Sequence, residues 1–295
     1  MIKFTDYISP TECLFLIQQS KDEDMGHKSI DLTSEIFINP NRLGKAVFTS
    51  RKPGKLCGSV LLKWIAQIYD PSLEIEVHLS DGDTLKPNAK IATVTGPLQS
   101  LLSFERVALN FLTHLSGIAT TTWQHVQLTQ NTQADIYDTR KTIPGLRSLA
   151  KYAVACGGGK NHRIGLFDAI LIKDNHIAHL PLDELESALK TSFQKARNSE
   201  NPPAFIQVEV DTIEQLKRVL NCGVDMVLLD NMDCDTLQKA VAIRNDMAAN
   251  IQLEASGGID LSTVKAIAQT GVDRIAIGAL THSAPALDIG LDITP

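Results

Sequence analysis

The pattern of hydrophobic and polar positions changes near residue 134. Between about residues 30 and 105, short runs such as AVFTSRKPGKLCG, LEIEVHLSDGDTLKP and KIATVTGP are broken by Gly, Pro, Asn and Asp. That pattern is typical of strands joined by tight turns, and Asp81-Gly82-Asp83 is its strongest turn signal. Residues 101–130 then carry apolar side chains at helical spacing, which predicts one long helix with Gly117 as a candidate interruption.

After residue 134, six short apolar runs alternate with segments of helical spacing. The runs are ADIYDTRK, AILIKDN, FIQVEVD, MVLLDN, IQLEAS and RIAIGA. The segments between the later runs are TIEQLKRVLNCG, CDTLQKAVAIRN and LSTVKAIAQTG. Short buried strands that alternate with helices are typical of a parallel α/β sheet or barrel, so the sequence predicts that fold class here.

The composition is that of an ordinary globular protein. The 295 residues are 43% hydrophobic and 21% charged, which excludes disordered, collagen-like and coiled-coil chains. The length predicts one large domain or a large domain with a smaller one, and the net charge of −6 argues against a nucleic-acid partner. No apolar run reaches the roughly 18–20 residues that span a bilayer, and the N-terminal segment lacks the apolar core of a signal peptide. We therefore expect a cytoplasmic protein with no membrane partner.

The cysteines do not form a recognisable framework. The five are widely spaced, and no two of them stand in a Cys-x-x-Cys pair. We expect buried thiols in a reducing compartment, with no disulfides.

Charged side chains end nearly every predicted strand of the second part. In a barrel of parallel strands, the carboxyl ends converge on one face, where the loops form the active site. We therefore expect these side chains to meet in one pocket, the alternative being that charges follow strands simply because loops are polar. The residues are Arg140, Lys141, Lys173, Glu209, Asp230 and Glu254.

The segment from Arg140 to Lys173 is strongly basic. It contains seven Lys and Arg residues, with Asp168 as its only acid. Clustered Arg and Lys favour a ligand with several carboxylates or phosphates, because guanidinium binds either group in bidentate fashion and ammonium supplies a point charge. The glycine run 157–159 predicts a loop whose backbone approaches the ligand closely. His162 is a candidate donor to a carboxylate, with a structural histidine as the alternative.

Other features indicate metal and phosphate chemistry. Glu209 and Asp230 are suited to hold Mg²⁺ through oxygen ligands or water, or to stabilise a developing cation. Ser256-Gly257-Gly258 precedes a helix that we expect to begin near Leu261, and Gly278–Ser283 follows the last predicted strand. In α/β barrels, loops in these positions cradle a phosphate with backbone N–H groups and a helix N-terminus.

The segment DTRKTIPGLRSLAKYAVACGGGKNHRIGLFDAILIKDNHI resembles the signature of the quinolinate phosphoribosyltransferase family. FERVALNFLTHLSGIAT, VEVDT, LLDNM, EASGGI and IAIGALTHSAPALDIGL are similar to the family's other motifs, in the same order. The resemblance covers essentially the whole chain. It departs in EDMGHKSIDLTS, which is longer than the family's turn, and at Lys86-Pro87-Asn88, which replaces a Pro-Gly.

The resemblance implies a fold, a reaction and an assembly. The fold is α/β: an N-terminal α/β sandwich domain (1–110, with about 280–295 packing on it), followed by an incomplete (β/α) barrel of about six strands (111–280). The reaction converts quinolinate and 5-phosphoribosyl 1-diphosphate to nicotinate mononucleotide, pyrophosphate and CO2, with Mg²⁺, in NAD biosynthesis. The assembly is a homodimer with shared active sites, in which Arg106 reaches the neighbouring subunit's site.

The resemblance also implies roles for individual residues. Those expected to bind the quinolinate carboxylates are Arg140, His162, Arg163 and Lys173, while Lys141 binds carboxylate or phosphate. Those expected to hold the ribose phosphate are Ser256, Gly257, Gly258, Gly278 and Ala279. Thr139 and Ile277 complete the substrate-binding set. The expected catalytic residues are Lys141, Glu209 and Asp230, of which the two acids are also the expected Mg²⁺ ligands.

Two other functions fit the sequence less well. One is a paralogue that has this fold and acts on another aromatic acid, such as the related protein found with molybdate transport. The presence of Lys141 together with the His162-Arg163 pair favours the dicarboxylate instead. The other is a non-catalytic, phosphate-binding dimer, for which the loss of Glu209 or Asp230 would be the expected sign, and both acids are present.

Overall fold

The computed structural model describes residues 2–26, 28–178 and 180–294. A short 3₁₀ turn at Phe4–Asp6 comes before the first helix. The helices are α1 (Pro10–Met25), α2 (Leu32–Phe37), α3 (Leu61–Tyr69), α4 (Leu98–Thr129), α5 (Arg147–Cys156), α6 (Asp174–Ile177), α7 (Leu182–Arg197), α8 (Ile213–Val219), α9 (Cys234–Met247), α10 (Val264–Ala268) and α11 (Ala279–His282). The strands are β1 (Leu43–Ser50), β2 (Gly54–Lys55), β3 (Glu74–Val77), β4 (Thr84–Leu85), β5 (Lys90–Pro97), β6 (Asp135–Tyr137), β7 (Ile170–Ile172), β8 (Ile206–Val210), β9 (Met226–Asp230), β10 (Gln252–Ser256), β11 (Arg274–Ala276) and β12 (Ile289–Thr294).

The chain divides into two compact units. The first consists of Met1–Trp123, Ile143–Gly158 and Ser283–Pro295, and the second of Gln124–Thr142 and Gly159–His282. The boundaries expected from the sequence, 1–110 with about 280–295 and then 111–280, stay a prediction. In this division α5 also belongs to the first unit, because its Tyr152 packs edge-on against Phe4, with ring centroids 5.1 Å apart.

The first unit is built on an antiparallel sheet in the order β12-β1-β5-β3. The second half of β1 is buried, and its Phe48 packs edge-to-face against Phe104 of α4, with ring centroids 6.0 Å apart. Complete burial of such a side chain contributes roughly 1.5–3 kcal/mol. The C-terminal strand β12 pairs with β1, where Leu291 lies opposite Phe48. The tail of the chain is therefore part of the first unit's sheet.

Helix α4 continues through Gly117, so the candidate interruption does not occur. A Cβ at this glycine would lie 2.2 Å from the carbonyl oxygen of Pro285. Leu287 donates its backbone N–H to the oxygen of Thr113 on the same helix, at 2.9 Å. Gly117 therefore serves close packing of the C-terminal tail against a continuous helix.

The region 30–105 is less purely β than its pattern predicts. It contains the short helix α2 and the apolar helix α3 as well as five strands. The turn at Asp81-Gly82-Asp83 is confirmed, with Gly82 at φ +92. The strands on either side of it pair elsewhere, however: β3 with β5 and β4 with β2. One reason is that Oδ1 of Asp81 accepts the backbone N–H of Ser59 at 2.8 Å, which binds the turn to the segment before α3.

The second unit contains a parallel sheet of six strands in the order β6-β11-β10-β9-β8-β7. These are the six strands that the sequence predicts. The central strands are almost entirely buried, as expected for a parallel sheet covered on both faces. In the described part of the chain the first and last strands of this order do not pair, so the barrel is incomplete and the predicted fold class is confirmed.

The predicted helices between the later strands are present as α8, α9 and α10. Thr212 and Gln215 form a reciprocal capping box at the start of α8. The helix expected near Leu261 begins instead at Val264, because the Asp260 carboxylate accepts the backbone N–H groups of the next residues and holds them in a turn. No helix in the described part of the chain combines the length and apolar character needed to cross a bilayer. All five cysteines are free thiols; four of them are buried, as predicted, and Cys234 is half-buried.

Candidate active site

A cavity of about 690 Å³ lies at the carboxyl ends of the parallel strands in the second unit. Apart from Arg106, every residue expected to bind substrate or to act in catalysis lines it. These residues are Thr139, Arg140, Lys141, His162, Arg163, Lys173, Glu209, Asp230, Ser256, Gly257, Gly258, Ile277, Gly278 and Ala279. Arg106 belongs to the first unit, where its side chain is exposed on α4.

Two guanidinium groups form the cationic wall of this cavity. Arg163 donates from Nη1 to the carbonyl oxygen of Ala169 at 3.0 Å. The Nε atoms of Arg140 and Arg163 are buried and have no hydrogen-bond partner among the described residues. Burial and the positive charge of Arg140 lower the pKa of Arg163, while Asp168 acts in the opposite direction. A dianionic ligand would relieve this repulsion and accept the unpaired N–H groups.

Carboxylates hold the backbone on both sides of Arg163. Asp138 is completely buried and accepts the backbone N–H of His162 at 2.7 Å. Asp168 accepts the backbone N–H groups of Ile164 and Gly165 at 2.7 and 2.8 Å. Because a carboxylate that accepts backbone N–H groups rigidifies a turn, the loop after the glycine run holds a defined position.

His162 lies at the bottom of the cavity and is 7% exposed. Its Nδ1 accepts the backbone N–H of Arg163 at 2.7 Å. Its Nε2 lies 2.8 Å from Oε1 of Gln207 and 3.4 Å from Oε1 of Glu254. Both ring nitrogens thus have protein partners, and the predicted donation to a ligand carboxylate stays a prediction.

The acidic wall is formed by Glu209 and Asp230, at the ends of the neighbouring strands β8 and β9. Lys173 Nζ lies 2.6 Å from Oε2 of Glu209, so a cation and an acid of the predicted site form an ion pair. Burial and the negative charge of Glu209 raise the pKa of Asp230, while Lys173 and Lys141 oppose that shift. Excess negative charge at Asp230 is an environment that favours a bound cation.

The glycines of the two predicted phosphate loops permit close backbone approach to the cavity. Gly257 and Gly258 have φ of +103 and +59, which few other residues adopt. A Cβ at Gly278 would lie 3.0 Å from Cδ of Lys141 and 3.3 Å from Nε2 of His282. A lysine and a histidine therefore flank the glycine after the last parallel strand.

Glu254 occupies a different place from the one predicted. It lines the cavity, as predicted, but it is the completely buried middle residue of β10 and does not stand at the strand end. Its Oε2 accepts from Nε of Arg274 at 2.7 Å, and that guanidinium stacks on the Tyr137 ring at 3.6 Å. Burial alone would raise the pKa of Glu254, but His162 and Arg274 outweigh it, so that the pKa is lowered. The carboxylate remains ionised and holds other side chains in place.

The glycine run has another role than the predicted one. A Cβ at Gly157 would lie 2.4 Å from the carbonyl oxygen of Ala119 on α4. The lining of the cavity, as far as the chain is described, contains none of the residues 157–159. The run therefore ends α5 and permits its close packing against α4.

Four residues are absent from the sequence-based prediction: Asn231 and His282, which line the cavity, and Gln207 and Arg274, which contact lining residues. Asn231 follows Asp230 and donates from Nδ2 to its Oδ2 at 2.7 Å. A signal for it was the position directly after a strand-end acid, and a signal for His282 was its place in the predicted phosphate loop. Gln207 and Arg274 lie inside strands, where polar side chains carry no sequence signal of a particular partner.

Comparisons with known proteins give a consistent result. Residues 31–116 match the family model "Quinolinate phosphoribosyl transferase, N-terminal domain", and residues 118–292 match the corresponding C-terminal domain model. A Bacillus subtilis protein named "Probable nicotinate-nucleotide pyrophosphorylase [carboxylating]" is 41% identical over 272 residues, covering 92% of this chain and 90% of that protein. The Mycobacterium leprae protein "Nicotinate-nucleotide pyrophosphorylase [carboxylating]" is 39% identical over 279 residues, covering 94% of this chain and 95% of the relative.

Solved structures resemble the fold over the same length. The nicotinate-nucleotide pyrophosphorylase from Francisella tularensis superposes with a TM-score of 0.88 at 35% identity, covering 97% of this chain and 98% of the other. The one from Ehrlichia chaffeensis superposes with a TM-score of 0.86 at 38% identity, with 97% and 99% covered.

Proposed function

The chain belongs to the quinolinate phosphoribosyltransferase family, and we propose that the cavity of its second unit is where the family's reaction takes place. The enzyme transfers a phosphoribosyl group from 5-phosphoribosyl 1-diphosphate to quinolinate and releases pyrophosphate and CO2. The product, nicotinate mononucleotide, is a precursor of NAD. The observation that carries the proposal is that one cavity unites the two guanidinium groups, the two acids and the glycine loops.

Quinolinate binds at the cationic wall. The arginines Arg140 and Arg163 present N–H groups that lack protein partners in the described residues, and these groups match the two carboxylates of a pyridine 2,3-dicarboxylate. Lys173 adds a point charge from the neighbouring strand end. A monocarboxylate would leave part of this positive charge unpaired, and this favours the dicarboxylate over another aromatic acid as substrate.

The phosphoribosyl donor binds across the cavity. Its 5-phosphate fits the backbone N–H groups of Ser256-Gly257-Gly258 and Gly278-Ala279, and Lys141 lies close enough to contribute charge. Departure of pyrophosphate leaves positive charge at the anomeric carbon. Glu209 and Asp230 stabilise that charge electrostatically, and the pKa of Asp230 is raised by burial and by the negative charge of Glu209.

Decarboxylation follows from the product of the transfer. Alkylation of the ring nitrogen places a positive charge beside the 2-carboxylate, so the electron pair left by departing CO2 is stabilised until the ring carbon takes up a proton from water. The protein mainly holds the two reactants in register and excludes other orientations. Lys141, between the two binding regions, is suited to contact either a carboxylate or a phosphate.

Magnesium fits the donor set of this cavity. Mg²⁺ keeps several waters and takes one or two carboxylates together with substrate phosphates. In the described residues no group of three or more His, Cys, Asp or Glu side chains is arranged to hold a metal. Glu209 and Asp230 match the smaller requirement: they would hold the ion, directly or through water, and the ion would supply positive charge to neutralise the pyrophosphate.

The active form is a homodimer located in the cytoplasm. Arg106 is exposed on α4 of the first unit, where a second copy of the chain can bring it to a quinolinate site. The five free thiols are consistent with a reducing compartment.

An assay with the purified chain tests the proposal. Quinolinate, 5-phosphoribosyl 1-diphosphate and Mg²⁺ should release CO2 and change the ultraviolet absorbance, and chelation of the metal should stop both. Nicotinate in place of quinolinate should give no comparable turnover. Turnover with another aromatic acid but not with quinolinate would favour the paralogue, and binding of phosphate without any turnover would favour the non-catalytic dimer.

A further inference from the structure

A line of hydrogen bonds beneath the cavity ends at the backbone of Arg163. Glu254 is completely buried, and its Oε1 accepts from Nε2 of Gln207 at 3.0 Å. Oε1 of Gln207 lies 2.8 Å from Nε2 of His162. The other ring nitrogen of His162, Nδ1, accepts the backbone N–H of Arg163 at 2.7 Å. A buried carboxylate is thus connected to an arginine of the cationic wall.

The chemistry of these groups determines which one donates and which one accepts at each hydrogen bond. An ionised carboxylate only accepts, so Gln207 turns its NH2 group toward Glu254 and its carbonyl oxygen toward the ring. The ring nitrogen facing that oxygen therefore carries the hydrogen, and Nδ1 of His162 is left as the acceptor for Arg163. If the Gln207 amide were reversed, its NH2 group would face the ring N–H of His162, and its carbonyl oxygen would face the Glu254 carboxylate. Donor would then meet donor and acceptor would meet acceptor. Phe205 packs edge-on against the ring, with centroids 5.4 Å apart, which restricts its rotation further.

Gln207 is completely buried and, unlike His162 and Arg163, does not line the cavity. Any effect of Gln207 on a ligand must therefore pass through its neighbours. The Ala169 carbonyl oxygen holds the Arg163 guanidinium at Nη1, but Nε lacks a partner among the described residues, so the position of the Arg163 backbone also decides where Nε points.

We propose that Gln207 is a positioning residue for Arg163 and that it acts through the ring of His162. The inference rests on the proposed function, in which Arg163 binds a quinolinate carboxylate. In this arrangement His162 supplies an acceptor to the backbone of Arg163 and does not donate to the ligand. Recognition of a rigid dicarboxylate requires binding groups held to within about 0.5 Å, which explains why a buried line of polar groups supports one arginine.

A double-mutant cycle on quinolinate binding tests the proposal. The dissociation constant is measured by calorimetry for the full chain, for Gln207→Met, for Arg163→Ala and for the double variant. Methionine keeps the length of the side chain and removes both hydrogen bonds. We expect Gln207→Met to weaken binding about 3- to 10-fold in the wild-type background and to have no further effect once Arg163 is alanine.

Lys173→Met provides the matched control background. Lys173 contacts Glu209 and shares no hydrogen bond with Gln207 in the described structure, so the two effects should multiply there. The KM for 5-phosphoribosyl 1-diphosphate should remain unchanged in Gln207→Met. A merely structural role would raise both Michaelis constants together and act equally in every background, and that result would overturn the proposal.

Substitutions of His162 give a second, independent test, which decides the question if Gln207→Met does not fold. An asparagine amide overlaps the Nδ1 position of histidine, whereas a glutamine amide overlaps Nε2. The proposal expects His162→Asn to bind quinolinate better than His162→Gln, since only the former retains an acceptor for Arg163. The reverse order would overturn it. If the wild-type chain binds no quinolinate, both the proposed function and this inference are overturned. If the wild type binds quinolinate but the effects of Gln207→Met and Arg163→Ala on the dissociation constant multiply fully, only the inference is overturned.

Discussion

The side chain of Asn231 lies so close to Gly257 that a Cβ at position 257 would come within 2.1 Å of Asn231 Oδ1. Both residues have positive φ, +52 for Asn231 and +103 for Gly257. The backbone N–H of Asn231 also donates to the carbonyl oxygen of Ser256 at 2.9 Å. This contact joins the loop after Asp230 to the predicted phosphate loop, so that Asp230 and that loop are fixed relative to each other.

Gly257→Ala should therefore impair binding of the phosphoribosyl donor. The added methyl group must displace Asn231 or its own loop, and misplacement of a reacting group by about 1 Å can cost about 100-fold in rate. We expect a raised KM for 5-phosphoribosyl 1-diphosphate and a lower kcat in steady-state kinetics, with quinolinate binding little changed by calorimetry.

Gly223→Ala is the matched control for that substitution. Gly223 has φ +82 in the same unit, but nothing lies within 4 Å of its Cβ position. The variant should lose about 1–2 kcal/mol of stability through backbone strain and keep its kinetics. Equal kinetic losses in both variants would show that the close contact with Asn231 is unimportant.

Arg163→Ala should weaken quinolinate binding by about 1.5–3 kcal/mol, which corresponds to roughly 10- to 150-fold in Kd. Burial and the charge of Arg140 lower the pKa of this guanidinium, so its removal deletes a charged hydrogen bond in a desolvated place. Calorimetry gives the Kd, and Arg197→Ala on the exposed side of α7 serves as control, with no expected change. An unchanged affinity in Arg163→Ala would contradict its role as a carboxylate-binding group.

The strands and the charged ends of the second unit could be predicted from the sequence because both signals are local. A short apolar run such as MVLLDN specifies a buried strand by itself, and its last charged residue then lies at the edge where parallel strands meet. The basic segment was equally visible, since its charges are close together in the chain. The positions proposed to bind anions therefore followed from pattern and topology.

The supporting interactions could not be predicted, because they join residues that are distant in the sequence. Gln207 and Glu254 are 47 residues apart, and they meet only because β8, β9 and β10 are neighbours in the sheet. From the sequence alone, Gly157 is indistinguishable from a flexible loop residue. Its role depends on the close contact with the Ala119 carbonyl oxygen, which only the structure shows. Glu254 lines the cavity as predicted, but from the middle of β10 and not from its end, because the sequence does not specify the height of a side chain along a strand.

Asp230→Asn should raise thermal stability at neutral pH while it lowers activity. Burial and Glu209 raise the pKa of Asp230 in the folded chain, so the folded state binds its proton more tightly than the unfolded state does. Stability from this group therefore falls as pH rises above the unfolded pKa of about 3.9. We expect the variant to melt at a higher temperature than the wild type at pH 7, with the difference vanishing below about pH 4.

The matched control for this pH series is Asp246→Asn, which changes an exposed carboxylate on α9. Its melting temperature should follow that of the wild type at every pH when both are measured without substrate or divalent metal. The kcat of Asp230→Asn should fall by about 100-fold or more, as for the loss of a preorganised charge. A lower melting temperature at pH 7 in Asp230→Asn would contradict the raised pKa.

Arg106→Ala should abolish turnover without affecting folding, because its side chain is exposed on α4 and makes no hydrogen bond or ion pair within the described chain. The control is Lys63→Ala, which removes an exposed cation on α3 of the same unit and should retain full activity.

If the site is shared between subunits, the variants Arg106→Ala and Lys173→Ala must complement each other in mixed dimers. A mixed dimer has one site with both substitutions and one site with neither. Random mixing of equal amounts of the two variants makes half of all dimers mixed. The expected activity is therefore about one quarter of the wild-type value. Absence of recovered activity in verified mixed dimers would show that Arg106 does not act in the partner's site.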